Sequence, residues 1–444
     1  MTPQVFIKKQ NLFRIVFPLF FLWLSPLPVK AETLSIGTCL TEALSKNPAV
    51  KEGELALDAS EKGVLSARLR HLPKLSIDGN YTRREETVPY IPAKSTTVPA
   101  HFSDEFGSLQ AVLSIPLYQG GQISNNVTIA GIKKDLIHNA FTMTKNEIIA
   151  NVVNTYNKLL HLKQLEKASD ASVNALERQY ANTSMMLDIG RIARVDFLKV
   201  DVQLAGEKQR LATLREGIAS SSETLAYLLG RDVGSGQNLP EPQGTLIAQP
   251  FQPDFETGVA LAKGHRPEYL MAENSVRESE LNVKNVKGKL LPSVSAFGGY
   301  MDQKGFEPSY SESSWFAGIN VSVPLFEGPL YADIAREKIL NEKAKIHLKG
   351  VDNQIRLDIR NALSALSDSR ERVGTSEKAV AQAEESFKIE GEKYTSGAGA
   401  MVEYLLSQAA YFTASANYAQ ALYDYNAAMV SYRRATGSME EYLK

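Results

Sequence analysis

The chain repeats itself, and the repeat holds its spacing. Pro48, Pro73 and Tyr81 recur as Pro267, Pro292 and Tyr300, each displaced by 219 residues. Farther along, Ser114-Ile115-Pro116-Leu117-Tyr118 recurs as Ser322-Val323-Pro324-Leu325-Phe326, displaced by 208, and Gly190 and Asp196 recur as Gly397 and Glu403, displaced by 207. Two changes of offset mean two short length differences between copies that otherwise stay in register. Repetition on this scale marks a duplicated structural unit, so what the first half builds the second half builds again.

Proline divides each copy. None occurs from Leu117 through Leu239, and none follows Pro329. Because proline breaks helix interiors, these tracts predict very long helices over 121–188 and 329–394. Gly190 ends the first, and Asp196, placed as an N-cap, starts a second helix over 196–229. The other copy breaks at Ser396-Gly397-Ala398-Gly399 and resumes over 401–434. A shorter helix leads into the strands of each copy, about 48–72 and 267–291. At ~1.5 Å per residue, two short helices end to end span about as much as one long helix, so they are expected to stack beside it. The repeats then cover 32–230 and 255–436, with a proline-rich linker over 231–254 outside the stack and a tail over 437–444.

The second helices carry heptad seams. Tyr404, Tyr411, Tyr418, Tyr425 and Tyr432 alternate with Ser407, Ala414, Ala421, Ala428 and Ala435, and the first copy has Phe197, Leu204, Leu211, Ile218 and Leu225 in the same places. Large and small residues at a seven-residue period make a packing seam, read here as core and not as a ligand site.

Between the helical tracts lie period-two runs. Leu75, Ile77, Gly79 and Tyr81 alternate with Ser76, Asp78, Asn80 and Thr82, and the pattern predicts strands over about 74–86, 107–118, 293–303 and 314–326. One apolar face with small or polar residues opposite suits either a half-buried soluble strand or an outer-membrane barrel strand. Lengths near the ~9–11 residues of barrel strands favour the second. Tyr81, Tyr300, Trp315 and Phe316 fall at the loop end of the strands, and Tyr118 and Phe326 at the other, as interfacial girdles do. Four strands are too few to close a membrane barrel, which takes at least ~8, so the barrel has to be shared between subunits.

Residues 1–31 read as a leader: Lys8, Lys9 and Arg14, an apolar run from Ile15 to Leu27, then small residues around Ala31. Losing that segment tips the balance of 49 basic and 50 acidic residues toward acid, which argues against a nucleic-acid partner. Cys39 is the only cysteine, so no intrachain disulfide forms, and it stands apart from any lipid-anchor motif. The six histidines show no ligand spacing, Gly397-Ala398-Gly399 does not follow a strand, and no hydrolase or zinc-protease signature appears, so no cofactor, metal or catalytic group is expected.

Taken in order, Lys46-Asn47-Pro48 with Arg266-Pro267-Glu268, the Leu-Pro pairs before the first and third strands, and the two Pro-Leu-aromatic segments resemble the TolC-like outer-membrane efflux proteins over nearly the whole mature chain. The resemblance implies a mainly α fold with a membrane β-barrel: a homotrimer with a twelve-stranded barrel in outer-membrane lipid and a helical tunnel in the periplasm. It also implies cargo handed over by a periplasmic adaptor and an inner-membrane pump of RND or ABC type, for multidrug efflux or type I secretion. By the same resemblance Tyr394 is the gate tyrosine, Asp196 its carboxylate partner and Glu403 a constriction-ring acid, while Gly399 and Leu406 depart from the family pattern. Gly190, Arg191, Ile192, Ala193, Gly397, Ala398, Gly399 and Ala400 become the adaptor-contact tips. The rival reading is an elongated periplasmic coiled-coil adaptor, which needs compact β-domains in place of isolated strand pairs.

Overall fold

The computed structural model describes residues 33–95, 97–232 and 241–443; the expected leader over 1–31 and linker residues 233–240 lie outside the described residues. The first repeat runs β1 (Thr33–Leu34), α1 (Ile36–Lys46), α2 (Pro48–Leu69), β2 (Lys74–Ile91), β3 (His101–Gln119), α3 (Gln122–Asp188) and α4 (Arg194–Leu228). The second runs β4 (Glu241–Pro242), α5 (Phe255–His265), α6 (Pro267–Gly288), β5 (Ser293–Phe306), β6 (Ser309–Ser322), α7 (Gly328–Thr395) and α8 (Met401–Thr436), and a 3₁₀ turn follows at Met439–Leu443.

Local chemistry sets the helix ends. Ser35 and Asp254 cap α1 and α5 by accepting from Thr38 N and Thr257 N, and Pro48 and Pro267 open α2 and α6, where a missing N–H costs nothing. The sequence pattern predicts α2 and α6 but not the short helices α1 and α5 that precede them. The long helices, 67 and 68 residues, stop by one mechanism. Gly190 and Gly397 take positive φ (70° and 78°), and the next residue donates back, Arg191 N to Met186 O at 2.8 Å and Ala398 N to Lys393 O at 2.9 Å. The same α4 boundary overturns one expectation. The N-cap is Ala193, with extended backbone, so Asp196 sits inside the first turn and caps nothing. There its charge suits the helix dipole, and Lys199 Nζ meets it at 3.1 Å.

Short helices stack end to end along the long ones. The α4 terminus meets the start of α2, where Asn47 Nδ2 donates to Leu228 O at 2.9 Å; α8 meets α6, where Arg266 Nη1 donates to Ala435 O at 3.4 Å. Each joint is sealed by a core. Leu40, Ile149, Leu159, Leu225, Leu229 and Met439 are buried together at the first, so the tail expected over 437–444 begins as core packing. Val259, Ile355, Ile359 and Tyr432 are buried at the second. The described part of the linker lies along α8, where Tyr425 Oη donates to Gln249 O and Asn426 Nδ2 to Ile247 O. It also pairs β4 with β1.

A charge pair closes the first joint. Arg231 donates to both Glu42 oxygens, at 2.9 and 2.7 Å, with both side chains mostly buried. The Arg231 hydrogen bond is the main cause that holds the Glu42 carboxyl below its ordinary value of 4.5. A depressed carboxylate stabilises the fold above its unfolded pKa, and that contribution vanishes as pH falls through the folded pKa. Glu42→Gln is therefore expected to cost about 2 kcal/mol at neutral pH, the scale of a charge-assisted hydrogen bond. The difference from the unsubstituted protein should close in acid below pH 4.5, as read by helical-signal melts at both pH values.

The four longer strands form one antiparallel sheet in the order β2-β3-β5-β6. All exceed or shift from their expected limits: 74–86 becomes Lys74–Ile91, 107–118 becomes His101–Gln119, 293–303 becomes Ser293–Phe306, and 314–326 becomes Ser309–Ser322. The ladders continue past the apolar belt because polar side chains keep pairing there, as Ser313 Oγ does with Asp302 at 2.8 Å. β6 stops before Pro324, which has no N–H to offer a ladder. Phe326 is consequently not a strand residue; its ring lies 6.4 Å from Tyr331 at the start of α7.

Candidate functional site

Cross-strand register decides which side chains share a face of the sheet. Leu75 stands opposite Leu113, then Gly298 and Ala317; Ile77 stands opposite Ala111, then Tyr300 and Trp315. Ile115, Ala296 and Ile319 extend this face, and Tyr118, Val294 and Val321 end it. At the other end the row Tyr81, Gly107, Lys304, Ser311 turns polar. One face is thus an apolar belt from Tyr118 to Tyr300 and Trp315, and its members are exposed or half-buried: Ile77 is 71% and Trp315 79% accessible. Tyr81 lies just past the belt, where its hydroxyl donates to Glu105 and its ring meets Phe306 edge-on at 5.8 Å.

The opposite face carries Ser76, Asp78, Asn80, Ser108, Gln110, Gln303, Glu312 and Ser314. Phe316 belongs to this face and not to the girdle in which the sequence reading placed it. Adjacent strand residues point to opposite sides; Phe316 leans over Gly299 and packs 6.2 Å from Phe297.

At the far end of the helices, the two tips are near-copies in chemistry. Tyr180 packs on Phe197 at 5.1 Å, and their counterparts Phe387 and Tyr404 pack at 5.5 Å. The second tip adds Tyr394, stacked on Tyr404 at 5.3 Å with an 18° tilt between rings, and burial pushes the Tyr404 phenol up. Within the chain Tyr394 and Asp196 do not meet. Gln179 Nε2 donates to Tyr394 Oη at 3.2 Å and lies at the same distance from Met401 Sδ, while Asp196 is taken by Lys199. Asp196 lies inside the first turn of α4, within reach of Lys199 one turn on. Gln179 was invisible in the sequence, since it lies mid-helix with no motif around it; only its neighbour Tyr180, aligned with Phe387, marks the spot.

Glu403 occupies the first turn of α8 and is exposed, one turn before exposed Leu406. Gly190, Arg191, Ala193, Gly397, Ala398 and Ala400 are exposed, with Ile192 and Gly399 half-buried. Between the tips, Val195, Leu198 and Val202 of α4 face Val402, Leu405 and Leu406 of α8 across an apolar groove. This arrangement sets one acid, Glu403, beside apolar side chains at a helix end.

Comparison with known proteins follows the same lines. The outer membrane efflux protein family matches residues 39–231 and 259–438, one segment in each repeat. The chain is 22% identical over 393 residues to Nodulation protein T of Rhizobium leguminosarum bv. trifolii, spanning 86% of this chain and 81% of that one. It is 21% identical over 415 residues to Outer membrane efflux protein BepC of Brucella suis, spanning 92% and 86%. Its fold matches the crystal structure of the outer membrane protein VceC from Vibrio cholerae with a TM-score of 0.76 at 17% identity, over 90% of this chain and 96% of that one.

Proposed function

The chain belongs to the outer membrane efflux protein family, and from that premise we propose that three copies form one passive duct, loaded from the periplasm by an adaptor and an inner-membrane pump of RND or ABC type. It is an outer-membrane protein whose helical part lies in the periplasm, and the family consists of channels, not enzymes.

One observation carries the trimer: both lateral ends of the chain are unfinished in the same sense. The sheet order β2-β3-β5-β6 leaves β2 and β6 as edges, and open edges are not viable in lipid. The helices beneath follow the same lateral order, α2 against α3, α3 against α6, α6 against α7. The two outer helices carry apolar side chains that the chain itself leaves exposed, Leu55, Leu65 and Leu69 on α2, and Ile339 and Ile346 on α7. Joining β6 and α7 of one copy to β2 and α2 of the next satisfies both at once. The coiled-coil adaptor reading is not retained, because the long strands form a single sheet with an exposed apolar face.

In this duct Tyr394, held by Gln179 and Tyr404, fixes the tip of α7, and three Glu403 carboxylates ring the narrow end. Leu406 stands one turn behind them and adds no second charge. Asp196, paired with Lys199 in its own chain, is free to exchange that partner when neighbouring tips meet. The exposed Gly190–Ala193 and Gly397–Ala400 turns are the surface offered to the adaptor.

Unheated gel electrophoresis of outer-membrane extracts, followed by planar-bilayer recording, tests this reading. A trimer band that collapses on heating is expected, with a small conductance reduced by divalent cations. Glu403→Ala should remove that block, and Gln179→Ala should raise the open fraction by releasing Tyr394. A soluble periplasmic monomer without conductance would overturn the duct.

A further inference from the structure

The most buried side chains of the large sheet lie at its outer end, where a hairpin is ordinarily most exposed. Tyr90, Ile91 and Ser103 are 7%, 3% and 0% accessible. The cause is a break in the β2–β3 ladder. Arg83 pairs with Glu105 and Val88 with Ser103, so residues 84–87 face a single residue of β3. A bulge of that size bends a hairpin. Ser103 Oγ secures the bend, 2.7 Å from Glu105 O and 2.9 Å from Glu307 O on the neighbouring hairpin.

The bent arm, Val88–Ile91 with His101–Ser103, is docked. The Tyr90 ring stacks on Phe106 at 5.8 Å with a 13° tilt, and its hydroxyl donates to Tyr310 O at 3.0 Å. His101 stacks on Tyr310 at 3.6 Å. Lys94 pairs with Glu312. Stereochemistry gives the direction of the bend. A Cβ added to Gly305 would lie 2.5 Å from the Tyr90 ring, and that Cβ points to the face carrying Gln303, Ser108 and Asn80. Phe106 and Glu312 belong to the same face. The arm therefore crosses the polar face of the sheet, never the apolar one.

We propose that this arm is a flap at the outer mouth of the duct, latched by Tyr90 in the slot above Gly305 and by the Lys94–Glu312 ion pair. The proposal rests on the trimeric duct, in which the polar face lines the lumen. Three arms then project inward from the end opposite the helices. Each has a latch made of two stacked rings, Tyr90 and His101, one phenol hydrogen bond and one surface ion pair, weak enough to release without unfolding the wall. The second hairpin has no such arm, since β5 and β6 keep register to the tight turn between Phe306 and Ser309. Duplicated strands have thus diverged at their outer ends, one into a flap and the other into its seat.

Thiol accessibility in intact cells tests the flap, with Cys39→Ser as background. Asp78→Cys places a thiol on the polar face below the arm, and Ile77→Cys places one on the apolar face. A bulky polymer-linked maleimide added outside is expected to label Asp78→Cys slowly in the latched protein. Labelling should be about tenfold faster with Tyr90→Ala, the factor that losing one ring contact and its hydrogen bond supports, and about threefold faster with Lys94→Glu, whose ion pair is at the surface. Adding Glu312→Lys to Lys94→Glu should slow it again. Equal rates in all these variants, each still a heat-sensitive trimer on gels, would overturn the flap. If a small charged thiol reagent labels Ile77→Cys but not Asp78→Cys, the lumen assignment fails, and with it the duct reading on which the flap rests.

Discussion

Leu75→Arg is expected to eliminate stable trimers from the outer membrane, while Asp78→Arg, three residues along, leaves them intact. Both positions are exposed in the single chain, so burial does not separate them. Register does: Leu75 lies inside the apolar belt, in the row with Leu113, Gly298 and Ala317, and Asp78 in the row with Gln110, Met301 and Ser314. An arginine on the lipid face near mid-bilayer costs ~2–4 kcal/mol. A trimer carries it three times in one barrel, so the sum approaches or exceeds the ~5–15 kcal/mol of net stability of a typical fold. An arginine on the lumen face stays in water and alters the channel's charge alone. The readout is trimer yield on unheated gels of outer-membrane fractions. Equal loss, or equal tolerance, in the two variants would refute the assignment of faces.

The sequence exposed the parts of this molecule that physics repeats. Proline-free tracts, glycine stops and period-two runs each act through a few neighbouring residues, so the long helices, the tips and the four strands were all visible in outline. The tyrosine seam was read as core, and Tyr425 and Tyr432 are indeed buried. Features that depend on distant partners were not visible. α1 and α5 went unpredicted because each is only 11 residues long, too short for its pattern to stand out before the proline that opens the next helix. Asp196 looked like a cap because aspartate favours that role, yet Ala193 took it once the Gly190 turn had set the backbone. Phe316 and Trp315 looked alike as neighbouring aromatics, but a period of two sends them to opposite sides. Gln179 and Tyr90 carry no local signal; only the assembled tip and the bent hairpin give them partners.

Gly437→Ala and Gly230→Ala should each destabilise the helical part by about 3 kcal/mol or more, whereas Gly190→Ala and Gly397→Ala should cost only about 1–2 kcal/mol. All four glycines have positive φ, between 70° and 78°, so the backbone cost of an added Cβ is common to them. Their surroundings differ. At Gly190 and Gly397 a Cβ meets nothing within 4 Å, but at Gly437 it falls 2.8 Å from Arg266 N and at Gly230 2.8 Å from the Lys46 carbonyl carbon. Those atoms are backbone, held between stacked helices, and have no rotamer with which to yield. Thermal melts of the four variants in detergent check the ordering, and a cost at Gly190 equal to that at Gly437 would refute it. The ordering also bears on mechanism. The same turn chemistry is used twice in each repeat, once jammed against the joint between short helices and once open at the tip. A duct that must change width needs its compliance at the tips and its rigidity where the helices join, and the space around these four glycines distributes the two in that way.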